Sequence, residues 1–362
     1  SLPVLQRTAT KRYHPLRHER RRSGIVRDRL VAPRGILMNA TSRASARGRL
    51  QRGLAVFCCV AGLVGGSNAW TQAAPASPTA APRNFEPRLG QSGKDVMWLP
   101  SKEAMVERLL QMGEVTRGDY LADLGSGDGK IPILAARTRG TRGLGIEFNP
   151  DMVELSRRRA AEQGVADRVE FRLGDIFQAD FAAATVVYLY LLPELNLRLR
   201  PALLKMKPGT RILSNGWDMQ TWMADETTAV DNAEGYLWIV PAHVGGSWQI
   251  RIKARGAVPP AAIAIRQRFQ KVSGEADFRR FSARLQDVVL RGDALRFSYR
   301  DVNGETFHFA GKVQGDKIKG TAQSRGTRGT FEATRTSTAE FFPEAVGTAD
   351  EIANAVRVLG SQ

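Results

Sequence analysis

Cysteine is almost missing from this 362-residue chain: there are two, Cys58 and Cys59, side by side in one apolar run. The chain beyond that run has none, which excludes a disulfide framework and thiolate chemistry there. Histidine is equally scarce. Of four, only His243 and His308 lie past residue 84, too few for a histidine-rich metal site, and no metal is expected. The apolar run itself, Leu54 to Val64, has eleven residues, whereas a membrane-spanning helix takes about 20.

Charge is present in excess but unevenly. Residues 1–53 carry fourteen Lys or Arg against two acids, so +12 of the net +17 sits in that segment and the other 309 residues hold +5. A basic tail, not a basic binding face, dominates the balance, and a nucleic-acid partner is not expected. Arg47, Arg49 and Arg52, then the apolar run, then Ser67 and Ala69 form the three parts of a secretory signal, followed by a Pro/Ala linker with Pro75, Pro78 and Pro82. Val56 and Phe57 are too large for a lipoprotein box. Met38 stands just ahead, which makes it the expected start, with residues 1–37 upstream. Export to the envelope or periplasm is the expectation; a mitochondrial presequence is the rival, since residues 38–53 are rich in arginine and free of acids.

From Ser101 onward the pattern alternates helix and strand. "SKEAMVERLLQMGEV" puts Met105, Val106, Leu109, Leu110 and Met112 on one helical face, with Ser101 as cap candidate. "DYLADLG", "GLGIEF", "RVEFRLGD", "ATVVYLYLL" and "TRILSNG" read as strands separated by helices, and "AEGYLWIVPA" as the last strand. This predicts a doubly wound α/β domain, mostly parallel, with ligands at the carboxyl ends of the strands. Beyond about Gly256 apolar and polar residues alternate between the turn pairs Gly292-Asp293, Asn303-Gly304, Gly315-Asp316 and Gly326-Thr327, which predicts an antiparallel sheet or small barrel. The expected divisions are a basic segment at 1–53, signal-like run and linker at 54–84, an α/β domain at 85–254, a β module at 255–338 and a tail at 339–362.

The chemistry centres on "DLGSGDGK". Ile131 after Lys130 removes the hydroxyl a phosphate loop needs, and Lys130 occupies the third glycine position of a dinucleotide fingerprint. What remains is Asp123 followed by Gly125, Gly127 and Gly129, with Glu147 at the end of the second strand and Asp175 at the end of the third. An acid at the second strand suits the two ribose hydroxyls of an adenosine, and Asp175 suits its amino group.

These residues resemble the class I S-adenosylmethionine-dependent methyltransferases. "VMWLPSKEAMVERLL", "DLGSGDGKIPILAA", "GIEFNPDMVELSR", "YLYLLPELNLRLRPALLKMKPGTRILSN" and "YLWIVPA" look like the archaeal broad-specificity and animal mitochondrial protein-lysine methyltransferases. The resemblance implies a Rossmann-like, mostly parallel seven-stranded sheet, with the small C-terminal antiparallel β domain as an addition. It implies S-adenosylmethionine as cofactor, its methionine end beside Trp98, Pro100 and Ser101 and the turn of Gly125, Ser126, Gly127 and Gly129. Glu147 would serve the ribose and Asp175 the adenine, with Asp123, Asn149 and Ile176 as further cofactor-binding residues. Tyr188, Tyr190, Glu194 and Asn196 are the candidates for lining an acceptor channel that strips a lysine amine of water and proton. A protein substrate is the expected partner. A small-molecule methyltransferase, or a non-catalytic envelope-binding protein using the β module, are the alternatives, and the Asn-Pro-Pro-Tyr type motif of enzymes that methylate bases or glutamine is absent.

Overall fold

The computed structural model describes residues 85–95, 97–254 and 261–339. The basic segment, the signal-like run and linker, and the tail beyond residue 339 lie outside them. Helix α1 (Glu103–Met112) buries the five apolar residues its periodicity singles out, but its N-cap is Lys102, and Ser101 is instead buried beside the domain's main cavity.

Strands β1 (Tyr120–Leu124), β2 (Arg142–Glu147) and β3 (Val169–Leu173) alternate with helices α2 (Lys130–Arg139) and α3 (Pro150–Glu162). Strand β4 (Val186–Leu189), helix α4 (Pro193–Leu203) and strand β5 (Arg211–Asn215) follow, then β6 (Glu226–Val230) and β7 (Ala233–Ile239). They form one seven-stranded sheet in the order β3-β2-β1-β4-β5-β7-β6. The first five strands pair in parallel, whereas β7 is antiparallel to both β5 and β6. The order reverses direction between β1 and β4, the crevice where open α/β sheets take ligands.

The sequence pattern misses β6. It is a mostly exposed edge strand, so hydrophobic alternation is weak, but Asp231 and Asn232 both adopt positive φ (50 and 65°) as a two-residue hairpin turn requires. Those two residue types were the available signal.

The remaining strands are β8 (Gly246–Ala254), β9 (Ala261–Arg268), β10 (Lys271–Asp277), β11 (Ser282–Arg284), β12 (Gln286–Arg291), β13 (Ala294–Arg300), β14 (Thr306–Gln314), β15 (Lys317–Gln323) and β16 (Arg328–Thr338). All are antiparallel in the order β11-β10-β9-β8-β16-β15-β14-β13-β12. The two ends of that order are one run of chain: β11 pairs with β10, β12 pairs with β13, and only Leu285 separates them, its N–H donating to the Gly274 carbonyl at 2.8 Å. Counted that way, eight strands close into a barrel. Such a barrel is just wide enough to be filled by side chains, and Phe297, Phe309 and Phe331 pack at its centre, with Phe297 stacked on Phe309 at 4.7 Å. The expected boundary at 254/255 therefore needs correcting: β8 pairs with β9 and β16, and the barrel begins at Gly246.

The barrel stands end-on against the α/β half. At its turn between β9 and β10, Phe269 enters the core of the α/β sheet and stacks on Trp222 at 5.8 Å, under the Arg200 guanidinium. Beside it Gln270 accepts from Trp222 Nε1 (3.1 Å) and donates to the Met223 carbonyl (2.7 Å). Because the two halves share this core, they should unfold together. Phe269→Ala is expected to cost about 3 kcal/mol by cavity formation, whereas Arg291→Ala, at the exposed pair with Glu226, should cost less than about 1 kcal/mol. Calorimetry of the two variants checks both values; two separate transitions in the parent protein would contradict the shared core.

Candidate active site

The glycine turn is built by conformation. Gly125, Gly127 and Gly129 have φ of 84, 51 and 76°, a region that side-chain-bearing residues rarely enter. The N–H groups of Gly125 and Ser126 donate to the Ile146 carbonyl of β2 at 2.9 and 3.1 Å, which folds the turn back over the sheet edge. A Cβ on Gly127 would lie 2.8 Å from Trp98 Nε1, so the close approach of the preceding segment also depends on glycine there. Gly129 acts differently from the expectation: it does not line the cavity, and a Cβ on it would strike Phe171 and Ser156 at 2.8 Å. It seats α2 against its neighbours.

Three carboxylates converge on this turn. Glu147 accepts from the N–H groups of Gly127 and Asn149, both at 2.9 Å, and Asp128 pairs closely with Arg159. Asp123 has no such relief. It is 2% exposed, and its Oδ2 has no hydrogen-bond partner among the described residues. Burial, followed by the charges of Glu147 and Asp128, pushes its carboxyl well above the usual carboxylate range. Ser126 Oγ beside it is likewise buried and unpartnered.

A hairpin from residues 90–98 covers the turn, its strands joined by Gly90 N–H to the Trp98 carbonyl (3.1 Å) and Trp98 N–H to the Gln91 carbonyl (2.8 Å). Lys130 Nζ fastens its base through the Ser101 carbonyl at 2.9 Å. Across the opening Lys94 Nζ reaches Asp175 Oδ2 at 2.7 Å and lies 5.2 Å from the centre of the Phe148 ring. That ion pair, with the Phe177 N–H, holds the Asp175 carboxyl below its ordinary value. Lys94 and Met97 were missed by sequence reasoning because the hairpin carries no periodic signal, and Phe148 was missed although it stands between Glu147 and Asn149 just past the end of β2.

The cavity is lined by Trp98, Pro100, Ser101, Asp123, Gly125, Ser126 and Gly127, and by Glu147, Asn149, Asp175 and Ile176. All expected cofactor residues except Gly129 are therefore brought together. The donor set fits S-adenosylmethionine on the structure's own terms. An unpaired buried carboxylate suits a ligand bearing ammonium and sulfonium charge, and acids at the next two strand ends suit ribose and adenine donors.

The four acceptor-channel candidates do not stay together. Tyr188 is fully buried under α1 and lines neither cavity; burial raises its phenol's pKa. Tyr190, 36% exposed, lies beyond the end of β4, where strand alternation no longer applies, and it does line the cavity. Glu194 and Asn196 also fall outside. Leu191, ahead of α4, and Leu195 on it line the cavity, and Asn196 Nδ2 donates instead to Ser214 Oγ and the Trp217 carbonyl, both at 3.3 Å. A second cleft opens beside the first, sharing Lys94, Met97, Leu99 and Tyr190 with it and adding Leu192 and Trp217. Trp217 was legible as a residue just past a strand end, in "SNGWD".

Residues 123–226 match the family model described as the ANTKMT methyltransferase domain. A protein-lysine N-methyltransferase of Saccharolobus islandicus is 33% identical over 154 residues, which is 41% of this chain and 96% of that protein. The adenine nucleotide translocase lysine N-methyltransferase of Mus musculus is 29% identical over 153 residues, 42% of this chain and 65% of that protein. Among solved structures, an RNA methyltransferase from Salinibacter ruber in complex with S-adenosyl-L-homocysteine shares 48% identity at a TM-score of 0.40, covering 40% of this chain and 96% of that one.

The electrostatics give a testable linkage. Since folding raises the Asp123 pKa, its protonated form contributes stability that is complete below the unfolded value and lost as pH rises through the folded one. A bound cation reverses the shift, so cofactor binding should release a proton. Calorimetry in buffers of different ionisation enthalpy should detect that proton, and Asp123→Asn should abolish it while weakening binding tenfold to about a hundredfold.

Proposed function

This chain belongs to the family of S-adenosylmethionine-dependent protein-lysine methyltransferases, and from that premise we propose that it methylates the side-chain amine of lysine in a protein substrate. The observation that carries the reading is the second cleft. Met97, Leu99, Leu192 and Trp217 wall an apolar approach that meets the cofactor cavity at Tyr190, past the carboxyl end of β4. Four methylenes of a lysine stem match such walls, and removal from water disfavours the ammonium form, which yields the neutral amine that can attack.

When bound, the cofactor supplies a methyl group on a sulfonium, an electrophile with a good leaving group. The protein's part is alignment and exclusion of water. Tyr190 bounds the junction of the two clefts, the 90–98 hairpin covers them, and the amine's proton leaves to solvent through the open cleft before attack. Neither a covalent enzyme intermediate nor a protein nucleophile is needed. Asn196 serves as a positioning residue, because it holds the Trp217 carbonyl from below.

Labelled cofactor, incubated with the protein and a lysate of its own organism, should place label on lysine side chains, identified by mass spectrometry of digests. Label confined to small molecules would defeat the lysine reading. Tyr190→Ala should lower kcat/KM for the protein acceptor on the order of a hundredfold and leave cofactor affinity nearly unchanged. Loss of cofactor binding in that variant would mean that Tyr190 serves the cofactor and not the acceptor.

A further inference from the structure

The +5 outside the N-terminal segment conceals a second concentration of charge: residues 246–338 hold eighteen Lys or Arg against eight acids. The barrel's charges are not spread alike over its ends. Toward the α/β half they are paired, as Arg291 with Glu226, Lys312 with Asp293 and Arg335 with Asp316. At the opposite end, formed by the turns 278–281, 301–305 and 324–327, the exposed side chains of Arg279, Arg280, Arg300, Arg325 and Arg328 make no ion pair among the described residues. The acids there are already used. Asp277 accepts from the Arg279 N–H (2.8 Å), Asp301 from the N–H groups of Asn303 and Glu305 (2.9 and 2.8 Å), and Glu305 from the Gly326 N–H (3.1 Å).

The same end carries two outward apolar side chains on adjacent turns, Phe281 at 45% exposure and Val302 at 53%. Phe281 stacks on Phe278 at 6.1 Å and still leaves its outer face open to solvent. The turns form one surface, since Phe278 meets Tyr299 edge-on at 5.3 Å and the Glu305 contact with Gly326 joins the other two.

We propose that this end of the barrel docks on a lipid bilayer with anionic headgroups, Phe281 and Val302 entering the interface and the five arginines engaging phosphates. A ring of cations around apolar crests is the arrangement that gains from both headgroup charge and the acyl boundary. A nucleic acid would use the arginines but has no place for an exposed valine, and the described part of this end offers one exposed aromatic ring, not a stacking series.

The test uses the full chain and vesicles of phosphatidylcholine with and without phosphatidylserine. The protein should float with the phosphatidylserine vesicles and be released by salt. Replacing Arg279, Arg280 and Arg325 together by glutamine should weaken partitioning about a hundredfold, at the usual strength of a basic residue near such a surface. A Phe281→Trp variant should be quenched by lipids brominated in the acyl chain, a readout that the basic N-terminal segment does not produce. Unchanged flotation of the triple variant, or no quenching at position 281, would overturn the proposal, as would full displacement from vesicles by duplex DNA with Phe281→Ser behaving as the parent.

Discussion

The left-handed turn from Gly125 to Gly129 is the constraint from which the site follows. Three residues at positive φ reverse the chain tightly enough to expose the end of β1, and they leave no Cβ between the sheet edge and the hairpin that covers it. Because the turn is so tight, Asp123, Asp128 and Glu147 are crowded around it. Two of those carboxylates are compensated by Arg159 and by backbone amides, and the third is left buried and unpaired. A buried carboxyl driven toward its protonated form is a structural cost with a chemical use, since a cationic ligand favours its ionised form instead.

The second cleft rests on a different device. The loop that follows β5 presents Trp217 to the second cleft, and its backbone is tied down at several successive points. Asn196 holds the Trp217 carbonyl, Arg200 donates to the Met219 carbonyl at 3.1 Å, and Gln270 of the barrel holds the Met223 carbonyl. The barrel is thus part of the scaffold of that cleft's wall as well as an added module. Its packed interior, filled by phenylalanine and tyrosine rings, leaves its outer surface and turns as the parts available for contact. Charge on that surface is sorted, paired near the α/β half and unpaired at the far end.

Much of the fold was legible in the sequence. Helix and strand periodicities marked the parallel core, and the Gly-Asp, Asn-Gly and Gly-Thr pairs marked the barrel's turns, because both signals arise from neighbours along the chain. Edge strand β6 escaped since an exposed strand has no hydrophobic face to reveal it. The glycines and strand-end acids that meet at the cavity were legible too, Gly129 apart, because they are local features, whereas Lys94, Met97 and Phe148 in the same lining were not.

The second cleft and the joining of the two halves are set by long-range packing. Tyr188 and Tyr190 are two residues apart, yet the strand ends between them, so one is core and the other faces the cavity. Lys94 meets Asp175, Trp217 meets Tyr190's cleft, and Phe269 enters a core far from it in sequence. Such contacts are set by where the turns and sheet order bring distant segments together. Residue order alone was enough for the glycine turn, its acids and the parallel core, since their constraints are conformational and local. Partners for the buried charges, and the walls of the second cleft, came from the folded arrangement, which no local pattern encodes.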